Sequence, residues 1–213
     1  ETSGDYQITV SCFSASALPG HYKIRIDYHS TPSPQDTKRI KVEQQVWEVV
    51  RLMAQNNPKT LKESITSASQ VPGLWHSLGD EYQEALSYFM LGNLYLSDGN
   101  AEGALSSLDT ALSQWRRLGD REGEASALFD IARAAAGSSD RSRVVDSFEQ
   151  ALQIWRSLND QMDQAKVLRE LGMFYYHQGD QQKALEFYTQ SLQLQELLGD
   201  KFPHAVLLDD IGL

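Results

Sequence analysis

From residue 79 onward, apolar residues recur at three- and four-residue spacing in stretches of about seventeen residues. Each stretch stops at a two-residue polar mark. The marks are Gly79-Asp80, Gly99-Asn100, Gly119-Asp120, Ser139-Asp140, Asn159-Asp160, Gly179-Asp180 and Gly199-Asp200, twenty residues apart. Glycine or asparagine accepts the left-handed backbone that ends a helix, and the Asp or Asn that follows caps the next one. The pattern therefore predicts a run of helices joined by very short turns. Alternate turns match better than adjacent ones, so the unit is a forty-residue helical hairpin. Hairpins stacked at a fixed period of this size form a solenoid.

Superposing the units shows which positions the stack needs. Tyr88, Leu128, Leu168 and Leu208 coincide, as do Leu91, Ile131, Leu171 and Ile211, followed by Gly92, Ala132, Gly172 and Gly212. On the second helix Ala104, Val144 and Ala184 coincide, then Leu108, Phe148 and Tyr188, then Ala111, Ala151 and Ser191. This is one buried stripe per helix, with small residues where two helices approach closely. Trp75, Trp115 and Trp155 share a further slot, which Gln195 fills in the last copy. Packing between repeats explains that series better than a stacking ladder for sugars or bases.

The chain before residue 79 is built differently. Tyr6, Ile8, Val10 and Cys12 alternate with Gln7, Thr9 and Ser11; Tyr22, Ile24, Ile26 and Tyr28 alternate with Lys23, Arg25 and Asp27. This period predicts two half-buried strands, and Leu18-Pro19-Gly20 lies in the turn between them. Residues 1–28 read as a short β-hairpin, which two strands alone cannot stabilise. It must lean on the solenoid, pair with another chain, or complete a β-sandwich begun upstream; the last is preferred. Residues 29–36, with Pro32 and Pro34, read as a Pro/Ser linker.

Residues 37–78 read as a degenerate capping helix pair. Its first helix, over 37–56, has Val42, Val46, Val49, Val50 and Met53 as its apolar face. Its second begins near Pro58 and is interrupted at Pro72-Gly73. Three forty-residue units follow over 79–200, then the first helix of a further repeat over 201–213. The apolar residues Val206, Leu207, Leu208, Ile211 and Leu213 need cover, so the natural protein is expected to continue.

The spacing of Leu168, Leu171-Gly172, Tyr175, Ala184, Tyr188 and Ser191 resembles the tetratricopeptide repeat (TPR) motif. So does that of Tyr88, Leu91-Gly92, Tyr95, Ala104, Leu108 and Ala111. The usual proline after the second helix is missing, and Trp115 with its neighbours continues the helix instead, which accounts for a forty-residue unit. The middle unit departs furthest: Ala135 stands for the tyrosine, Ala132 for the glycine and Ser139 for the turn glycine. Its first helix is expected to pack more loosely or at a shifted angle. The resemblance implies a mainly α fold: a right-handed solenoid of antiparallel helix pairs preceded by the β-hairpin fragment.

The resemblance also implies a groove lined by the first helices, gripping an extended peptide or a partner helix. Its positions here are Phe89 and Asn93, Phe129 and Arg133, Arg169 and Met173, with Tyr176 beyond. Phe89, Phe129 and Met173 would form an apolar track flanked by Arg133 and Arg169. The lysine and paired asparagines of a carboxylate-gripping groove are not reproduced. The occupant is either a protein or peptide ligand, or the chain's own hairpin or another domain.

Charge narrows the partners. The formal net charge is −10, and residues 1–40 balance four acids with four bases, so the helical part carries the whole excess. An acidic solenoid repels nucleic acid and anionic lipid. No apolar run approaches the length of a membrane span. Five histidines and one cysteine, Cys12, show no metal-ligand spacing. No Gly-rich phosphate loop and no Ser/His/Asp or Cys/His set can be assembled, so no cofactor, metal or catalytic residue is expected. The alternatives to a binding scaffold are a structural module self-associating through its uncapped ends or the hairpin, and an unrecognised enzyme.

The order of parts carries a second resemblance. Gly4–Val10 and Pro19–Ile26 are similar to the last two strands of the bacterial pre-peptidase C-terminal domain. Joined to repeats with Leu-Gly-Asp junctions, they resemble the front of bacterial proteins that end in a caspase-like CHAT domain. This implies an exported or periplasmic protein whose array restrains or positions a protease further along; the residues themselves leave the compartment open.

Overall fold

In a computed structural model, residues 33–55 and 57–198 are described. They form α1 (Pro34–Met53), α2 (Pro58–Ala68), α3 (Val71–Leu78), α4 (Glu81–Ser97), α5 (Ala101–Leu118), α6 (Arg121–Ala135), α7 (Arg141–Ser157), α8 (Gln161–His177) and α9 (Gln181–Leu197). The fold is an α-solenoid. α4 pairs with α5, α6 with α7 and α8 with α9, and α5 and α7 also pack on the first helix of the following pair. The β-hairpin expected over 1–28 and the helix expected over 201–213 lie outside the described residues.

The polar marks do what their chemistry dictates. Gly79, Gly99, Gly119 and Gly179 have φ of 70°, 74°, 73° and 78°, and Asn159 has φ of 56°. In each of these turns the following N–H reaches back to a carbonyl inside the helix just ended: Asp80 to Trp75 at 3.2 Å, Asp120 to Trp115 at 3.0 Å, Asp160 to Trp155 at 3.0 Å. The same residue then caps the next helix. Asp80, Asn100, Asp120, Asp140, Asp160 and Asp180 each accept from the backbone N–H three residues on, at 2.9–3.2 Å. A two-residue mark therefore reverses the chain and satisfies donors and acceptors at both ends.

Small residues set how closely each pair approaches. A Cβ on Gly172 would stand 2.6 Å from Tyr188 Cδ1, and one on Gly92 would stand 2.6 Å from Leu108 Cγ. Tyr188 and Leu108 are 2% and 0% exposed, so neither has room to move. One continuous core runs from Ala85 in α4 through Leu108, Ile131 and Phe148 to Phe174 in α8. Trp75, Trp115 and Trp155 are 3–4% exposed, so the tryptophan series belongs to packing between repeats.

Polar latches tie successive pairs together. Glu84 Oε2 lies 2.9 Å from His76 Nδ1 while Gln114 Nε2 donates to its Oε1 at 2.9 Å. One unit later Arg116 Nε donates to Glu124 Oε1 at 2.9 Å and Arg121 holds Oε2. Both carboxylates are nearly buried, which fixes the end of one pair against the start of the next.

Three expectations need correction. The segment read as linker gives up its last residues to α1, because Ser33 and Asp36 form a reciprocal capping box. α1 buries Val42, Val49 and Leu52, leaving Val50 and Met53 more than 40% exposed; its valine spacing did not select the contact face. The capping pair over 37–78 is three helices, because α2 ends at Ala68, four residues before Pro72. The proline ring would collide with that carbonyl, so the break comes before the proline and Pro72 sits in the first turn of α3. In the middle unit the departure falls on length. α6 has 15 residues against 17 in α4 and ends at Ala135 with no positive φ before Asp140, yet nine of its residues are buried.

Gly172→Ala is expected to destabilise the fold, since overpacking against Tyr188 costs about 1–3 kcal/mol while the propensity gain returns at most about 1 kcal/mol. Gly73→Ala, where a Cβ meets nothing within 4 Å, is expected to stabilise it slightly. Urea unfolding of both variants checks the pair of signs.

Candidate functional site

A cavity of ≈ 290 Å³ opens where the C-terminal halves of α4, α6 and α8 adjoin. Asn93, Leu96 and Ser97 of α4 form one wall, and Arg133 with Ala136 forms the middle. Glu170, Met173, Phe174 and His177 of α8 form the other wall, with Phe148 of α7 behind. The volume lies at the small end of the ~300–1,000 Å³ range of ligand pockets. It has room for a few side chains of a peptide.

Asp130, 6% exposed, stands one helical turn before Arg133, behind the cavity wall rather than in it. Its Oδ1 accepts from Arg133 Nη1 at 2.9 Å, and Asn93 also hydrogen-bonds it. Burial nevertheless dominates and holds the carboxyl above its ordinary range; the Arg133 charge, the Arg133 hydrogen bond and the Asn93 hydrogen bond pull it down less. Arg133 lies over the Phe129 ring at 5.7 Å from its centroid, and Phe129 meets Phe148 edge-on at 5.8 Å. The guanidinium is thus fixed from two sides, while its side chain stays 44% exposed. Asn93 Nδ2 also donates to the Phe89 carbonyl at 3.2 Å. Its amide is therefore engaged within the protein.

Of the seven residues expected to line a groove, Asn93, Arg133 and Met173 come together in the cavity. Phe89 packs instead on Trp115, with centroids 5.1 Å apart, and Phe129 supports Arg133 from behind. Arg169 donates to Glu170 Oε1 at 3.1 Å, and Tyr176, 50% exposed, stands edge-on to His177. Neither lines the cavity. Of the expected apolar track Phe89–Phe129–Met173, Met173 lines this cavity, while Phe89 and Phe129 are half-buried and do not. Sequence reasoning missed Asp130, Glu170, Leu96, Phe174 and His177. The available signal was a pair of acids at 130 and 170, each three residues before a groove position.

The arrangement offers an apolar floor, a fixed cation and a neighbouring carboxylate, which suits recognition of a mixed polar and apolar segment. Among the described residues, no group of three or more His, Cys, Asp or Glu is placed to hold a metal ion. No described helix is long and apolar enough to cross a membrane.

The family model for the tetratricopeptide repeat matches residues 83–157 and, overlapping, 145–197, together more than half of the chain. No curated protein matches. Among solved structures, BtubC (BKLC) from P. vanneervenii aligns at 18% identity and TM-score 0.57, over 85% of this chain and 83% of that one. The apo form of RapI aligns at 17% identity and TM-score 0.63, over 79% of this chain and 49% of RapI. A signal transduction ATPase with numerous domains and a tetratricopeptide repeat sensor, from Pyrococcus horikoshii, aligns at 19% identity and TM-score 0.57. That alignment spans 83% of this chain and 31% of the ATPase. At these identities the likeness establishes the fold.

A carboxyl whose folded pKa lies above its unfolded one binds its proton more tightly in the native state. The stability Asp130 contributes is then present below the ordinary carboxylate range and lost as pH rises through the raised folded value. Relative to Asp130→Asn, the unaltered protein should lose unfolding free energy from mildly acidic towards neutral pH. Parallel urea titrations across that range measure the difference; a gain for the unaltered protein with rising pH contradicts it.

Proposed function

Because the chain belongs to the tetratricopeptide repeat family, we propose that it is a protein–protein interaction scaffold binding a peptide segment of a partner between α4, α6 and α8. The observation carrying this reading is the cavity itself. Apolar Leu96, Met173 and Phe174 stand beside a guanidinium that Asp130 and Phe129 hold in place. Preorganised polar groups over an apolar floor lower the ordering cost of binding. Arg133 presents donors to a carboxylate or backbone carbonyl, and the apolar floor takes a neighbouring side chain. The Pyrococcus horikoshii ATPase, whose repeats are described as a sensor, is consistent with such a role.

Helix starts at Glu81, Ala101, Arg121, Arg141, Gln161 and Gln181 support a forty-residue unit. We further infer, from the resemblance of residues 4–26 and the Leu-Gly-Asp junctions to bacterial CHAT-domain proteins, that partner binding here restrains or positions a caspase-like protease.

Peptides selected from a random-sequence display library on the chain test the binding surface. Met173→Ala and Arg133→Gln should each weaken a selected peptide at least tenfold with helical circular dichroism unchanged, on the scale of a residue central to an interface, about 1.4 kcal/mol or more. Peptides that bind equally to both variants would place recognition elsewhere.

A further inference from the structure

The cavity between α4, α6 and α8 holds an arginine and a glutamate, and the protein answers their charges unequally. Arg133 is matched by Asp130, whose Oδ1 accepts from its Nη1 at 2.9 Å. Glu170 is answered on one side only. Its side chain is 17% exposed, and among the described residues Arg169 alone donates to it, at 3.1 Å to Oε1. Arg169 is itself 36% exposed and does not line the cavity. Two carboxylates of comparable burial show the contrast. Glu84 has His76 on Oε2 and Gln114 on Oε1, and Glu124 has Arg116 on Oε1 and Arg121 on Oε2. Glu170 Oε2 has no partner among the described residues. A carboxylate largely withdrawn from water and held through one oxygen gains most from a further cation.

The wall that carries Glu170 suits a long basic side chain. Glu170, Met173, Phe174 and His177 follow at three- and four-residue spacing, so they share one face of α8. From Phe174 back to Glu170 the helix advances about 6 Å. The aliphatic stem of a lysine or arginine covers that distance and packs on apolar surface while its head stays with a polar partner. The opposite assignment, a ligand carboxylate on Arg133, meets Asp130 one helical turn away and Glu170 in the same cavity. The helical part also carries the whole net charge of −10, which draws cations towards the site and repels anions.

We propose, on the reading of this cavity as a peptide site, that the bound segment carries a lysine or arginine whose stem lies on Met173 and Phe174 and whose head pairs with Glu170. Arg133 then donates to a backbone carbonyl of the segment and keeps its bond to Asp130. The cavity thereby selects a basic residue through Glu170, and the apolar wall separates it from shorter polar side chains.

Peptides selected from the random-sequence library on the unaltered chain should share a lysine or arginine and lose affinity as salt rises. For one such peptide, Glu170→Gln should weaken binding about tenfold or more, and so should methionine in place of the peptide's basic residue. The two changes together should cost little more than either alone, because both remove the same pair. The change in the peptide reads that pair without altering the fold. Selection on Glu170→Lys should return peptides with Asp or Glu instead. Peptides that Met173→Ala weakens but that lack a basic residue, or that bind Glu170→Gln unchanged, overturn the pairing and leave the cavity as the peptide site. Peptides indifferent to Met173→Ala overturn both. Enrichment of Asp or Glu on the unaltered chain also overturns the pairing and assigns charge recognition to Arg133.

Discussion

Each interior helix of this solenoid has an apolar stripe too wide for one neighbour to cover. α5 is buried between α4 and α6, and α7 between α6 and α8. Fully burying one leucine or phenylalanine is worth about 1.5–3 kcal/mol, and isolated helices of this length are marginal in water. The stack therefore supplies the stability that no single hairpin has. The continuous core from Ala85 to Phe174 is the physical form of that dependence.

Turn caps, small residues and carboxylate latches keep the stripes in register. The turns fix helix length, and with it which residues of one pair meet the next. Gly92 and Gly172 let the paired helices close, and Glu84 and Glu124 latch one pair to the next. Asp130 is the exception that points towards function. Its carboxylate is buried against its own electrostatic preference, and what it obtains is a fixed Arg133 and Asn93 at the edge of the cavity. A buried polar cluster next to an open apolar floor is costly for stability and useful for recognition.

The periodic part of the fold was legible because its signals are local. Gly119-Asp120 states the end of one helix and the start of the next without reference to anything distant, and the structure has both. α1 was less legible. Its valines allow more than one apolar face, and only contact with α2, α3 and α4 selects Val42, Val49 and Leu52. Proline at 72 announced a break but acted four residues upstream, through the carbonyl of Ala68. Asn93, Arg133 and Met173, which line the cavity, stand at positions that the tetratricopeptide resemblance implied. Phe89 and Phe129 were implied by the same resemblance, and their rings pack on Trp115 and Phe148. Asp130 was hidden among 29 acids, and burial, which distinguishes it, belongs to the tertiary structure.

Hydrogen exchange on two cavity-forming variants tests the nearest-neighbour dependence most directly. Ile131→Ala lies in the middle of the continuous core, and Val49→Ala lies in the separate cluster of α1, α2 and α4. Stacking by neighbours requires Ile131→Ala, a loss of about 2–5 kcal/mol, to lower protection from α4 through α8 together. Val49→Ala should loosen α1 to α4 while α7 to α9 keep their protection. Equal loss of protection across all helices in both variants would mean a single cooperative globule, and would contradict the stacked-repeat account.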